Sequence, residues 1–394
     1  MKVLVVGNAH LYKTPEGKYY TPTIYNNEFF QRYLNVFEEV RFVAKTKYVK
    51  KLDKDKYIAL DDERIEIYEL PWYKGMKEMI LNIGELIKRY RRVADDCDCC
   101  IFRIAQIESY FSYILSKNFR KPIAVEVVND PETFTSVRHI FKWFNIKMFN
   151  RLIKKANGVS YVTKNYLQER YPSTSRIKGE SIRYFESYYS SIDLKSEYIR
   201  QAKEYPNSNE TFEIIHVANS INGNTKGHKT LIEAVKYIVE NGYEVKVCFI
   251  GDGSAVKNFE QYAKELKVDK YIDFIGRFNS KEAILNRLTT SDLFVLPTYM
   301  EGLPRSIIEA QAVGLPCLST PIAGIPELLN QKYLFSPKNS NDFAREIIRL
   351  INNPEELNQM SATNIEVARE YTQENLTKRR TEFYSKLRNL VVID

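Results

Sequence analysis

Short apolar runs separated by longer amphipathic stretches recur along the whole chain. The first run, Lys2-Val3-Leu4-Val5-Val6-Gly7, predicts a buried strand ended by glycine, a common opening of a parallel α/β sheet. A helical pattern begins near Asn26. Further runs at 39–44, 100–104, 123–128 and 159–163 are divided by helical or irregular segments. Alternating strand and helix predicts a parallel sheet in the first half.

Residues 184–210 are rich in Ser, Tyr, Glu and Asn and hold no sustained apolar period, which predicts an interdomain linker. Beyond it the alternation becomes regular. Strands are expected at 214–218, 245–250, 272–275, 293–296 and 317–319, with helices at 228–240, 255–266, 281–288 and 304–313 between them. That order predicts a doubly wound α/β domain. Residues 342–390 read as two or three polar helices. The expected division is a first domain of residues 1–205, joined by a returning helix at 375–394, and a second of residues 206–374.

Composition narrows the class. Of 394 residues, 44% are hydrophobic, 27% charged and 13% aromatic, an ordinary globular balance that excludes collagenous and disordered chains. The five cysteines lack the density of a secreted disulfide framework, so a reducing cytosol is expected. No run approaches the roughly 18 apolar residues of a membrane span, and the N-terminal run Val3-Leu4-Val5-Val6 is too short for a signal-peptide core, so neither is expected. The net charge of +8 is unevenly spread: residues 1–200 hold 35 Lys/Arg against 25 Asp/Glu, and the rest hold 23 against 25. An excess of +10 in one half implies an anionic partner there.

The segment richest in chemistry is LPTYMEGLPRSIIEAQAVGLP, residues 296–316. Pro304 suits the first position of a helix and Gly314 the left-handed residue that closes it. A helix therefore starts just past the carboxyl end of a strand, where open α/β sheets bind ligands and free N–H groups favour phosphate oxygens. Glu301 falls in the loop, and Glu309 lies about 7.5 Å along the helix from Pro304. A carboxylate accepts two hydrogen bonds in one plane, which matches vicinal hydroxyls of a sugar or ribose, and Gly302 lets backbone approach a ligand. The alternative is that Glu301 caps the helix and Glu309 is merely solvated.

This block, with its E-x7-E spacing from Glu301 to Glu309 inside EGLPRSIIEAQAVGLPCLSTPIAGIPELL, resembles glycosyltransferase family 4, retaining enzymes of the two-domain GT-B architecture. IIHVANSINGNTKGHKTLIEA, VKVCFIGDGS and DFIGRF extend the resemblance over residues 212–330. In the first half, VEVVNDP and ANGVSYVTKNYLQERYP are similar to a branch making bacterial capsular or exopolysaccharides.

The resemblance implies two Rossmann-like domains facing across a cleft, with a nucleotide-diphosphate sugar as co-substrate and no resident cofactor or metal. It implies that Glu309 holds the ribose, Glu301 contacts the transferred sugar, and Lys226 neutralises the leaving diphosphate. Gly302, Leu303, Pro304 and Arg305 would approach sugar and phosphates, with Arg277 and Asn219 near the base. On the acceptor side the candidates are Gly7, Asn8 and Asn129, together with two residues read from their positions: His10, in a loop expected after the first strand, and Arg103, expected at a strand's carboxyl end facing the cleft, where it would contact an anionic acceptor. Front-face displacement, in which the departing phosphate accepts the acceptor's proton, is the implied route to retention, and Asp130 as base or nucleophile is the competing one. The acceptor would be a saccharide, free or lipid-linked, met at the inner face of the plasma membrane. Two departures stand out: no Arg precedes Lys226 by five residues, and Asn129-Asp130 replaces a His common at the end of a first-half strand.

Other signals have plainer readings. Asp96-Cys97-Asp98 and Asp53-Lys54-Asp55 fit the D-x-D pattern of metal-dependent enzymes, but so short a pattern arises readily by chance. Cys97, Cys99 and Cys100 read as the lead-in to a buried strand. Gly251-Asp252-Gly253 reads as a packing turn, and His216, between Ile215 and Val217, as a hydrogen-bonded core histidine. Residues 133–168 hold no acid, while Arg138, Lys142, Lys147, Arg151, Lys154, Lys155 and Lys164 surround an apolar stripe of Ile140, Phe141, Phe144, Met148 and Leu152. Phe144 and Met148 are expected to pack on the core, and the charges to steer toward an anionic leaflet. Rival classes are a GT-B nucleotide-sugar epimerase and, on the charge alone, a nucleic-acid-binding protein. No nucleic-acid reader motif accompanies that charge.

Overall fold

The computed structural model describes residues 1–53, 57–104, 106–116, 121–133, 139–206, 211–278 and 280–393. The chain divides into two compact units, Met1–Tyr189 with Thr377–Asp394, and Ser190–Leu376. Lys54-Asp55 of one D-x-D pattern and Arg138 of the basic stretch lie outside the described residues, as do the side chains of Ile140 and Phe141.

The first unit is built on one sheet. Its strands are β1 (Lys2–Lys13), β2 (Tyr19–Thr21), β3 (Glu39–Tyr48), β4 (Ile58–Leu60), β5 (Ile65–Leu70), β6 (Cys99–Ile104), β7 (Ile123–Val127), β8 (Gly158–Tyr161) and β9 (Phe185–Tyr188). Seven run parallel in the order β5-β3-β1-β6-β7-β8-β9, and β2 and β4 add an antiparallel flap beside β1. The order reverses between β1 and β6, because the chain winds outward first to one side and then to the other.

Two sequence expectations need correction here. Gly7 does not end the first strand: β1 continues to Lys13, and its register against β3 slips between Val6 and His10. A Cβ on Gly7 would meet the Tyr25 hydroxyl at 3.0 Å, so glycine admits that close packing and does not terminate the strand. The supposed linker is structured as well over its described residues, 184–206, while 207–210 lie outside them. Phe185–Tyr188 pairs with β8, and Phe185 is fully buried. Residues 190–205, expected in the first domain, belong to the second unit, where backbone N–H groups of Arg200, Lys203 and Tyr205 donate to Ala312, Ser361 and Asn358.

The helix Gln373–Ile393 enters the first unit from Thr377 onward. There Phe383 packs edge-on against Phe185 at 5.3 Å, and the Tyr384 hydroxyl donates to Glu126. The basic helix His139–Lys155 turns Met148, Phe149, Leu152 and Ile153 into the core and leaves Trp143 exposed. Phe144 is half-buried.

The second unit holds β10 (Phe212–Ser220), β11 (Val245–Asp252), β12 (Ile272–Phe274), β13 (Leu293–Val295) and β14 (Cys317–Leu318), all parallel, in the order β12-β11-β10-β13-β14. The reversal falls between β10 and β13. Ile214, Val247, Phe249, Leu293, Val295 and Leu318 pack against Leu231, Val235 and Ile238 of the helix His228–Glu240. Strands covered on both faces read as continuous apolar runs, which is why this half was legible in sequence. Among the described residues, no helix is long and apolar enough to cross a membrane.

Candidate functional site

The strand order reverses between β10 and β13, the place in an open parallel sheet where ligands are generally bound at the carboxyl edge. The loop after β10 makes a short turn at Asn224–Lys226 and passes through Gly227 into the helix His228–Glu240. Gly227 has φ +76°, and a Cβ there would fall 1.9 Å from the Pro297 carbonyl oxygen. Only glycine allows this loop to press against the one after β13.

That second loop is fixed by hydrogen bonds rather than by regular structure. Tyr299 N–H and the Thr298 hydroxyl both donate to the Thr225 carbonyl, at 2.8 and 3.0 Å. Gly324 N–H donates to the Gly302 carbonyl at 2.9 Å, and the buried Thr320 hydroxyl to the Thr298 carbonyl at 3.0 Å. The outcome is that Glu301 meets Lys226 in an ion pair, and Lys226 Nζ also donates to the Met300 carbonyl at 3.2 Å. Both side chains remain partly open to solvent.

The helix that follows runs Arg305–Ala312, with Pro304 as the residue preceding it. Pro304 is therefore one position earlier than expected. Gly314 has φ +68°, the left-handed closing residue read from the sequence. Arg305 is exposed and Leu303 buried at the helix entrance. Glu309, one turn further on, is recessed. Loss of hydration pushes its carboxyl above the usual range, and the cations Lys281 and Arg305 oppose that shift.

On the other side of β10, Arg277 folds back so that Nε donates to the Asn219 carbonyl at 2.9 Å and Nη2 to the Asp252 carbonyl at 3.4 Å. It thereby joins the ends of β10 and β11. Gly251-Asp252-Gly253 is a close-packed turn, since a Cβ on Gly251 would lie 1.8 Å from the Ala218 carbonyl oxygen. The structure thus brings Lys226 together with Glu301, and Arg277 with Asn219, from loops far apart in sequence.

Beneath the Lys226 turn lies a pair of buried imidazoles. His216 Nε2 contacts the Lys226 carbonyl at 2.9 Å, which requires the proton on Nε2. The His228 ring lies 4.5 Å away from it and stacks on Phe259 at 4.9 Å. Burial drives both below the usual histidine value, His216 to about 4 and His228 to about 2. His216 is thus a core residue that also holds the backbone of the lysine.

In the first unit, Gly7, Asn8 and His10 lie along β1. Asn8 Oδ1 accepts from the buried Lys45 at 2.6 Å, and His10 Nε2 contacts the Tyr73 carbonyl at 3.1 Å. Asn129 is exposed after β7. Asp130 is buried, its carboxylate accepting from the hydroxyls of Tyr171 and Tyr166, at 2.8 and 3.2 Å, and from Glu132 N–H at 2.9 Å. That arrangement is a cap on a turn, and it engages the oxygens a base would need free.

Arg103 is the clearest departure from expectation. It does not offer its charge to a ligand, because it is buried against Glu126 directly opposite on β7. Burial opposes the charge of Glu126, and Arg103 with the hydroxyls of Tyr384 and Tyr189 overcomes it, holding the carboxyl below its usual value. Asp96-Cys97-Asp98 is likewise structural: Asp98 accepts Lys2 N–H at 2.7 Å. Among the described residues, no group of three or more His, Cys, Asp or Glu is arranged to hold a metal ion.

Sequence reasoning missed Thr298, which pins the Glu301 loop, and Gly227. The signal for Gly227 was available, since a glycine between a loop lysine and a helix start marks a left-handed cap. Nothing in the spacing marked Thr298.

Residues 199–367 match the family model for glycosyl transferases group 1, a span within the second unit. Protein CapJ of Staphylococcus aureus is 25% identical over 386 residues, covering 91% of this chain and 92% of that protein. The UDP-Gal:alpha-D-GlcNAc-diphosphoundecaprenol alpha-1,3-galactosyltransferase of Escherichia coli is 33% identical over 124 residues, 30% of this chain and 31% of that enzyme. Among solved structures, Anabaena HepE in complex with UDP is similar with a TM-score of 0.65 at 15% identity, over 97% of this chain and 99% of HepE. Two Rossmann-like units and this family match define a glycosyltransferase of GT-B fold. The family match within the second unit, with similarity to CapJ along nearly the whole chain, makes this protein a glycosyltransferase.

Proposed function

We propose that this enzyme moves a sugar, with retention of configuration, from a nucleoside-diphosphate sugar to a lipid-linked saccharide during cell-surface polysaccharide synthesis. The carrying observation is the juxtaposition of Lys226 and Glu301 at the reversal of the second sheet, with Glu309 on the helix that begins there. On this reading the diphosphate replaces Glu301 as the partner of Lys226. The released carboxylate of Glu301 then accepts hydroxyls of the sugar, and the start of the helix Arg305–Ala312 offers N–H groups and Arg305 to the phosphates. Glu309 takes the ribose hydroxyls.

Charge builds on the diphosphate as the glycosidic bond breaks. A fixed ammonium and oriented amides stabilise that charge without a metal, and a proton from the acceptor hydroxyl passes to the departing phosphate oxygen. Support for the nucleotide comes from the name of HepE in complex with UDP, and for a lipid-diphosphate acceptor from the name of the Escherichia coli relative. The excess of +10 over residues 1–200 suits an enzyme working at an anionic leaflet.

The test is a thermal-shift screen with UDP, GDP, ADP and TDP on the unaltered protein and on Lys226→Ala and Glu309→Ala. A bound ligand raises the melting point by an amount that grows with its concentration over Kd. One diphosphate should stabilise the unaltered protein, and both variants should lose most of that response. Equal stabilisation of all three proteins would overturn the assigned site.

A further inference from the structure

The carboxyl ends of β5, β3 and β1, three parallel neighbours, carry an aromatic and cationic cluster that the donor chemistry does not use. Trp72 stands two residues beyond β5. Its ring lies 4.7 Å edge-on from His10 and 5.4 Å from Tyr12, both on β1. Lys47 Nζ, on β3, is 5.8 Å from the Trp72 centroid, and Lys74 Nζ is 5.7 Å from it. One indole thus gathers two ammonium groups that repel each other.

Neither ammonium forms an ion pair with a carboxylate among the described residues. The nearby Glu78 accepts from the backbone N–H of Lys74 at 2.6 Å, and Glu69 is taken by Lys13, Tyr19 and Tyr48. The cluster rests on a rigid floor. Lys45 pairs with Glu108 at 2.8 Å, both fully buried, the Tyr73 hydroxyl donates to the same carboxylate at 3.0 Å, and the Tyr73 carbonyl meets His10. Because Tyr73 is buried, its neighbours Trp72 and Lys74 are set at the surface beside it.

Immediately after Lys74 the helix Gly75–Leu81 anchors itself through Met79 and leaves Met76, Ile80 and Leu81 exposed, Leu81 at 84%. Ile83 continues this face at 41% exposure. A site with two unpaired ammonium groups at one end and an apolar face extending about 9 Å along a helix from it suits a ligand with an anionic head and a hydrocarbon tail.

We infer that Lys47 and Lys74, gathered on Trp72, bind the diphosphate of the lipid-linked acceptor, and that Met76, Ile80 and Leu81 receive the first part of its hydrocarbon chain. This rests on the reading of a lipid-diphosphate acceptor given above. The sugar next to the diphosphate would lie against the His10 and Trp72 edges, which deepens the acceptor role expected of His10.

The test exploits the chain having two tryptophans, Trp72 and the exposed Trp143. In a Trp143→Phe background, indole fluorescence reports on Trp72 alone. Farnesyl diphosphate should change it saturably, inorganic diphosphate should do so with at least about tenfold weaker affinity, and farnesol should produce no saturable change. Adding Lys47→Ala with Lys74→Ala, both exposed and outside the fold's core, should weaken farnesyl diphosphate at least about tenfold, and Lys74→Arg should restore much of that loss. Leu81→Asp should weaken farnesyl diphosphate and leave inorganic diphosphate unchanged. Unaltered affinity in the double-alanine protein, or equal affinity for farnesyl diphosphate and inorganic diphosphate, would overturn the assignment. UDP titrated into the same proteins by calorimetry reads the second unit separately, so a failure there is a failure of the donor reading and not of this site.

Discussion

Lys226 and Glu301, which lie 75 residues apart, neutralise each other in the second unit, and each is a group expected to contact the donor. On the donor reading proposed above, the pair is a placeholder: the carboxylate occupies the position relative to the ammonium that a phosphate oxygen would take, and binding would break it. Lys226→Ala should therefore weaken UDP about 10- to 100-fold, the range expected from losing a hydrogen bond to a charged group. Glu301→Gln should have the opposite sign for UDP alone, leaving affinity equal or higher because the ammonium is released, while transfer falls at least about tenfold. Calorimetric titration of UDP into both variants, with turnover of the matching nucleotide sugar, separates the two effects.

Gly227 should be far less tolerant than its conformation alone implies. Gly227 and Gly242 have similar φ values, +76° and +84°, but a Cβ on Gly242 meets nothing within 4 Å. Gly242→Ala should cost about 1 kcal/mol from left-handed backbone strain. Gly227→Ala adds a collision with the Pro297 carbonyl, so it should cost about 3 kcal/mol or more and displace Lys226. Chemical denaturation of the two variants checks the difference. UDP affinity should fall only for Gly227→Ala.

In the first unit the buried pair of Arg103 and Glu126 should behave asymmetrically. Glu126 accepts from Tyr33 and Tyr189, each at 3.1 Å, and from Tyr384 as well as from Arg103. Glu126→Leu leaves an unpaired buried guanidinium and should cost about 3–5 kcal/mol. Arg103→Met with Glu126→Leu removes both charges and should recover a large part of that cost. Urea denaturation of the single and double variants decides between this account and one in which Arg103 is a ligand contact tolerant of Glu126 loss.

The second unit was more legible than the first, and the reason is burial. β10, β11, β13 and β14 are largely buried on both faces, so their positions along the chain and the helix Arg305–Ala312 could be read within a residue or two. β2, β4 and β5 escaped notice because they are short or half-exposed, as in Ile65-Glu66-Ile67-Tyr68-Glu69-Leu70, where glutamates at two of the half-buried positions mask the strand. β9 was hidden by its glutamate and serine. Of the site, the carboxylates, the lysine and the helix entrance were visible as residue types at a spacing. Their pairing was not, because it depends on Thr298, Thr225 and Gly324 folding two loops together. Arg103 misled for a related reason: a charge at a strand's carboxyl end looks available until the opposing residue on the next strand is known to be Glu126.

The two buried imidazoles make a prediction about acid. His216 and His228 titrate near 6.5 when unfolded, and burial lowers both in the folded protein, to about 4 and about 2. A group with a depressed folded value binds more protons in the unfolded state. The stability from keeping these rings neutral is therefore complete above pH 6.5 and is lost as pH falls toward the folded values. Each ring adds a slope of about 1.4 kcal/mol per pH unit between 6.5 and 4, so His228 alone accounts for about 2 kcal/mol by pH 5. His228→Leu should flatten the loss of stability between pH 6.5 and 4 by that slope, measured by denaturant titrations at several pH values. The consequence reaches the site through His216, whose Nε2 holds the Lys226 carbonyl at 2.9 Å. His216→Leu should flatten the acid slope in the same way but also weaken UDP at neutral pH. His216→Asn should restore part of that binding by supplying another donor to the same carbonyl. If His216→Leu binds UDP as tightly as the unaltered protein, the imidazole supports the sheet and plays no part in holding the lysine.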